Sequence, residues 1–229
     1  MAEYFEITIL PLVLTLGAYQ LGRLCQQKLK SAIANPVLIS MILILAFMAL
    51  TGLKNETYQA GMKCFSWLLT PATVCLAIPM YEQLQILRKN LMALLCGIAT
   101  GAIVSLFVVL GCALLFHWEP VLTASLLPKS VTSAIGVPLC QMAGGIPSIT
   151  TTIIILTGIV ANMLGSLCCK LFRITDPIAQ GVAFGTSGHV IGTARANELS
   201  PLTGAVSSLS LVVAGLVTSL VFPLVMKLL

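Results

Sequence analysis

Long apolar runs alternate with short charged stretches along most of the chain. Runs at about Ile7–Gly22, Asn35–Leu53, Cys64–Tyr81, Leu91–Phe116, Ile146–Cys169 and Thr203–Met226 predict membrane-crossing helices. The first has Tyr4 and Phe5 as interfacial anchors, and the third holds Pro71 and Pro79, which predict a kink or break. Two further stretches are apolar but interrupted. Glu119–Gly145 is broken by Pro128, Gly136, Pro138 and the Gly144–Gly145 pair, and carries Lys129, Ser130 and Thr132 at its middle. Asp176–Leu202 is broken by Gly181, Gly185, Gly188 and Gly192, and carries His189 with an Arg195/Glu198 pair. Polar, glycine-rich backbone at membrane depth is tolerated where it is buried in protein or lines a wet cavity. Paired interruptions of this kind point to a transporter's binding site.

Charge placement orients these elements. Arg23–Lys30 and Arg88–Lys89 fall on one side if positive loops face the cytoplasm, and His117–Glu119 falls on the other. If Glu119–Gly145 crossed the membrane, Lys170 and Arg173 would land outside. If it enters and returns as a re-entrant hairpin, they land inside. The expected fold is therefore all-α and polytopic: six full spans plus two hairpins of opposite orientation, with both termini outside. The alternative is eight transmembrane helices, two of them broken. Ser133–Ser148 and His189–Gly204 share an early Ile-Gly, an amide at Gln141/Asn197 and a Gly/Pro break before a long apolar helix, as inverted repeats would. Residues 1–229 are expected to form a single membrane domain, with four spans in 1–116 and the two interrupted segments, each followed by a span, in 117–229.

Composition agrees with this class. The chain of 229 residues is 58% hydrophobic and 8% charged, with a mean hydropathy of +1.05. Its net charge of +5 is spread over the ends of apolar runs, not gathered into a basic tract, so no nucleic-acid partner is expected. The acidic start, MAEYFE, predicts that the first span inserts without cleavage. Eight cysteines without a CxxC, and two histidines far apart, predict free thiols, no metal and no cofactor.

The candidate chemistry is anion binding. Half-helix N-termini at hairpin tips present N–H groups and a positive dipole end. Ser130, Thr132, Ser133, Thr186, Ser187 and Thr193 add hydroxyls that can cap those ends, and Lys129 and Arg195 add positive charge. His189 suits a proton carrier. Pro71, Pro79, Gly144, Gly145, Gly188 and Gly192 are the structural or hinge positions, and Thr70 and Thr73 flank the break expected in the third span. Plainer readings stand beside these: Lys129 snorkelling, Arg195 and Glu198 neutralising each other, His189 packing, and Asp176 capping a helix that starts at Pro177. No nucleophile has a positioned base, so no enzyme is expected.

Three stretches resemble the LrgB/CidB membrane-protein family: LLTPATVCLAIPMYEQ (68–83), LLPKSVTSAIG (126–136) with Gly144–Gly145, and DPIAQGVAFGTSGHVIGTARANE (176–198) with Gly204–Ala205. The likeness runs from about the second span to the C-terminus. One departure is Ser133–Ala134–Ile135–Gly136, where threonine-proline-isoleucine-alanine is usual. The resemblance implies a bacterial inner-membrane protein with one of two roles. One is an antiholin-like modulator of murein hydrolase export and autolysis, acting with a small LrgA/CidA-type partner. The other is carriage of a small carboxylate, as in the plastid glycolate/glycerate transporter of plants or in pyruvate movement. The residues favour the second, with Lys129, Ser130, Thr132, Ser187, His189, Thr193 and Arg195 at the substrate, and Arg195→Ala abolishing uptake. Six spans bury little, so a homodimer or a partner subunit is expected in the bilayer.

Overall fold

A computed structural model describes residues 9–29 and 35–228, without the side chains of Cys64, Ser66, Leu69, Thr70 and Thr73. The expectations placed on Tyr4, Phe5, Lys30, Thr70 and Thr73 lie outside what is described. The described chain is helical and divides into two compact units, Met1–Cys75 and Leu76–Leu229.

In the first unit α1 (Leu10–Leu29) packs on α2 (Pro36–Thr51), followed by α3 (Asn55–Gly61) and α4 (Lys63–Cys75). Asn35 caps α2 by accepting from Val37 N–H at 2.8 Å, and Gly52, at φ 69°, ends it. Gly22 lets α1 approach α2: a Cβ there would lie 2.6 Å from the Pro36 carbonyl oxygen. Two expectations change here. α1 runs past Gly22 to Leu29, because residues 23–29 hold no helix breaker. The charged stretch between the second and third apolar runs contains α3. Pro71 sits within α4, so the break in the third apolar run falls not there but at Leu76, between α4 and α5 (Ala77–Glu82), which contains Pro79.

The second unit continues with α6 (Leu84–Lys89), α7 (Leu91–Leu115), α8 (Pro120–Leu126), α9 (Ser133–Met142), α10 (Pro147–Leu171), α11 (Pro177–Leu199) and α12 (Pro201–Met226). Among the described residues, α7, α10 and α12 are long and apolar enough to cross a bilayer, while Pro36–Thr51 and Ser133–Met142 are shorter apolar helices. The chain is a polytopic helical membrane protein. The count of six full spans is not reached by these lengths and compositions.

Packing fixes the directions of the long helices. α7 and α12 run parallel: Leu94, Ile98 and Ala102 cluster with Val206 and Ala214, and Leu106, Val109 and Leu110 cluster with Phe222 and Val225. α7, α9 and α10 end in the same turn. His117, Gly144 and Arg173 adopt left-handed backbone at φ 51°, 73° and 54°. The next N–H then bonds the carbonyl five residues back, as in Trp118 to Ala113, Gly145 to Cys140 and Ile174 to Cys169.

Both interrupted segments fold back on themselves. α11 is two arms joined at His189, whose backbone (φ 41°, ψ −132°) is not helical. A Cβ on Gly192 would strike the backbone carbonyl of Phe184, eight residues earlier. On a straight helix those levels lie about 12 Å apart. The first arm runs parallel to α12, with Gly181 against Thr203 and Val206 and Gly185 against Ser207 and Ser210. The second arm returns antiparallel to α12: Thr193 bonds Ser207, and Asn197 lies against Gly204. Against α10 the order is reversed, with Gly188 at Ala161 and Phe184 at Gly165, then Asn162 bonding Ile191 and Ser166 bonding Arg195.

In the first segment, α8 and α9 form the matching hairpin. The base is pinned where Ile146 N–H donates to Ser125 Oγ (2.7 Å) and Thr150 donates to the Ser125 carbonyl (2.8 Å). Gly145 fits between Cys140 and Ser125, and nearer the tip Gly136 faces the Pro128 carbonyl, Val131 and Ile154. This hairpin starts from the ends of α7 and α10 that hold Leu115 and Pro147. The α11 hairpin starts from the opposite ends, at Leu171 and Pro201. The two therefore dip toward each other through the α7–α10–α12 layer.

Candidate functional site

The tips meet near the middle of the long helices. Residues 127–132 join α8 to α9. Lys129 Nζ donates to Ser130 Oγ at 3.1 Å and to Ser105 Oγ of α7 at 3.4 Å, and the two hydroxyls bond each other at 2.9 Å. Ser105, Ser130, Thr186 and Thr218 share a cavity of about 10 Å³, the size of one water. Beside it, Lys129, Thr157, Ala161, Gly165, Phe184 and Ser187 line a larger, half-open cavity of about 330 Å³ along the first tip, α10 and the first arm of α11. Among the described residues the one ion pair is Arg195–Glu198, so Lys129 has hydroxyl partners but no carboxylate. An ionisable side chain held at this depth on hydroxyls alone marks a functional-site candidate.

His189 forms the second tip. Its side chain is buried, and Nε2 donates to the Ile154 carbonyl at 2.9 Å. Gly158 makes room for it: a Cβ there would sit 2.7 Å from the imidazole Cε1. A non-glycine residue in this backbone region costs about 1–3 kcal/mol, which the imidazole anchor offsets. Thr193 is buried and donates to the His189 carbonyl at 2.8 Å while bonding Ser207 Oγ at 2.8 Å. Ser187 and Thr186 donate to carbonyls of their own arm, Ala183 and Val182. Thr132 precedes α9 in extended backbone but its side chain makes no cap bond. The tip hydroxyls thus do not cap the half-helices as expected: those of Thr186, Ser187 and Thr193 donate to carbonyls four residues back, and that of Ser130 bonds Lys129 and Ser105. Asp176 does cap, accepting from Ala179 N–H at 2.8 Å with Pro177 next in line. No buried side-chain nitrogen or oxygen among the described residues lacks a partner, as the bilayer demands.

The structure gathers Lys129 and Ser187 on the larger cavity, Ser130 on the small one, and His189 and Thr193 within the packed second tip. Arg195 lies apart. Its Nε donates to Ser166 Oγ at 3.2 Å and its Nη1 pairs with Glu198. Ser166 lines a third cavity of about 340 Å³ with Lys170, Arg173, Gln180 and Leu199, at the end of α10 away from the first hairpin. The two larger cavities share Cys169 and Ile174. Sequence reasoning passed over Ser105, Thr157, Ser166 and Ser207. Each is a hydroxyl within an otherwise apolar helix, and only the interrupted segments opposite give it a role.

No solved structure matches the chain. The family model described as LrgB-like matches residues 15–228, nearly the whole length, and the protein therefore belongs to the LrgB-like family, a membrane-associated and non-enzymatic family linked to antiholin-like or transport roles and generally associated with LrgA-type partners.

Proposed function

We propose that the protein carries a small organic monocarboxylate across the bacterial inner membrane, binding it between the two hairpin tips with Lys129 as the contact for its charge. The observation that carries this reading is a lysine at mid-membrane depth, bonded to Ser105 and Ser130, without an acidic partner among the described residues, on the wall of a cavity of about 330 Å³. One fixed charge suits one carboxylate, and Ser187 and Thr157 supply hydroxyls on the same wall. The N-terminus of α9, beginning at Ser133, adds its dipole to the same tip. Hairpins from opposite faces leave a thin barrier between the two aqueous sides, which alternating access requires. Proton coupling would run through His189, with Thr193 holding the backbone at the second tip and Thr132 standing beside Lys129 and Ser130 at the first. Gly188 and Gly192 would keep the second hairpin closely packed and Gly145 the first, with Gly144 turning the chain at the end of α9. Arg195 would stand at the mouth with Lys170 and Arg173 instead of on the carboxylate. A homodimer, or a small LrgA/CidA-type partner, would supply the scaffold against which the tips move.

The test is uptake of pyruvate, glycolate, glycerate and lactate into proteoliposomes at two pH values, with and without the partner. Lys129→Met, which keeps the length of the side chain, is expected to abolish saturable uptake, and Lys129→Arg to restore part of it. Saturable uptake unaffected by Lys129→Met would end this reading. A change in lysis timing without uptake of any acid would favour the antiholin-like role.

A further inference from the structure

The hydroxyls around the small cavity at the tips do not balance among themselves. That cavity lies among α7, the first tip, the first arm of α11 and α12, and buried Ala102, Leu106, Leu127, Val131 and Ala214 form most of its wall. Ser105, Ser130, Thr186 and Thr218 supply its hydroxyls. Lys129 Nζ donates to both serine oxygens, and the two serines share one hydrogen bond. A bond between two hydroxyls uses one of their two protons. The second serine proton therefore has no acceptor among the described residues. The Thr186 proton is committed to the Val182 carbonyl at 2.7 Å, so its oxygen offers lone pairs only. Thr218 is 4% exposed, and its hydroxyl bonds no described residue. Since no oxygen sealed within the described protein lacks a partner, that hydroxyl opens on the cavity.

We infer that this cavity is a site for one ordered water, and that Thr218 is a positioning residue that holds the Lys129 ammonium in place through it. The hydroxyls select the occupant. It must accept the spare serine proton and donate to Thr186, while Thr218 serves as either partner. Water does all three, which is the usual number of bonds for a buried water. A sodium or potassium ion cannot accept the serine proton. It would also stand one hydroxyl away from the Lys129 ammonium, with no carboxylate paired to that lysine among the described residues. A halide has no proton to give Thr186 and is larger than the water-sized space of about 10 Å³. With the water bound, the spare serine proton turns away from Nζ, and both serine oxygens keep lone pairs for the ammonium. The water also ties the first tip and α7 to the first arm of α11 and to α12. The positioning role rests on the function proposed above, because it takes Lys129 as the substrate contact; the water site stands on the hydroxyls alone.

The experiment has a structural arm and a transport arm. Crystals of the full chain are grown once in sodium chloride and once in rubidium bromide. Expected in both is a density peak within hydrogen-bond reach of Thr218 Oγ1 and of Ser105 or Ser130 Oγ, with no anomalous signal. Absence of the peak, or an anomalous rubidium or bromide peak in its place, would overturn the water site. In proteoliposomes, Thr218→Val is expected to raise the KM of the acid about fivefold, the net worth of one hydrogen bond, with Vmax kept, and Thr218→Ser to restore the parental KM. An unchanged KM in Thr218→Val would end the positioning role, while Lys129-dependent uptake would leave the carrier function standing. Uptake that survives Lys129→Met, or no uptake of any acid by the parent, would end the carrier function and the positioning role together, and the density would still decide the water.

Discussion

The hairpin in α11 makes a prediction that can be worked atom by atom at Gly188. A Cβ built on Gly188 would lie 2.7 Å from Ala161 Cβ on α10, and the next atom, the Gly158 carbonyl oxygen, is 3.9 Å away. Carbon atoms prefer to stand about 3.5–4.0 Å apart, so Gly188→Ala overlaps one atom by roughly 1 Å and nothing else. Overpacking of this kind costs about 1–3 kcal/mol. Ala161→Gly alone should cost about 1 kcal/mol through helix propensity. In the double variant the clashing methyl is gone and the new one has ordinary contacts. The pair should then lie within about 1 kcal/mol of the parent, for a coupling of about 1–3 kcal/mol. The assay is equilibrium unfolding in mixed micelles followed by circular dichroism, with Gly111→Ala, whose Cβ would meet nothing within 4 Å, as the clash-free control, expected to gain about 1 kcal/mol from helix propensity. If the two single changes add to within about 0.5 kcal/mol, the first arm does not lie on α10 at this register, and the arrangement of the tips is wrong.

Three other outcomes follow from named positions. Gly144→Ala forces a side chain into left-handed backbone at φ 73° and should destabilise the protein by about 1–2 kcal/mol in the same assay, whereas an unchanged midpoint would contradict the turn that closes the first hairpin. Arg195→Ala breaks a half-exposed pair with Glu198 and a bond to Ser166, so stability should change by about 1 kcal/mol or less and uptake should survive with a higher KM; complete loss of saturable uptake, with the protein still inserted, would put the guanidinium on the substrate after all. Single cysteines replacing Glu119 and Phe172, in a background lacking native cysteines, should label from opposite sides with an impermeant maleimide, and labelling from one side would refute the antiparallel course of α7–α12 relative to α10.

Much of the candidate site could be read from residue order alone because the interruptions have local causes. Gly144 sits where only a left-handed residue can end α9, and Asp176-Pro177 announces the start of α11. Proline was a poorer guide: Pro71, Pro138 and Pro223 all lie inside helices, and the third apolar run breaks at Leu76 instead. The freed backbone groups at a proline can find partners nearby, which no local rule foresees. His189 was legible as unusual, but its role as the corner of a hairpin depends on Gly158 being empty across the way.

The sequence by itself determined the class, the family and the two broken segments. Hydropathy, charge bias and Gly/Pro placement act through short-range physics and through the bilayer, which punishes unpaired backbone wherever it occurs. Only the tertiary structure decided which cation faces the cavity. Lys129 and Arg195 look alike along the chain, yet one meets Ser105 across the layer, with no acidic partner among the described residues, and the other finds Glu198 a turn away. The difference lies in helices far apart in sequence that happen to pack together, and no local pattern encodes it.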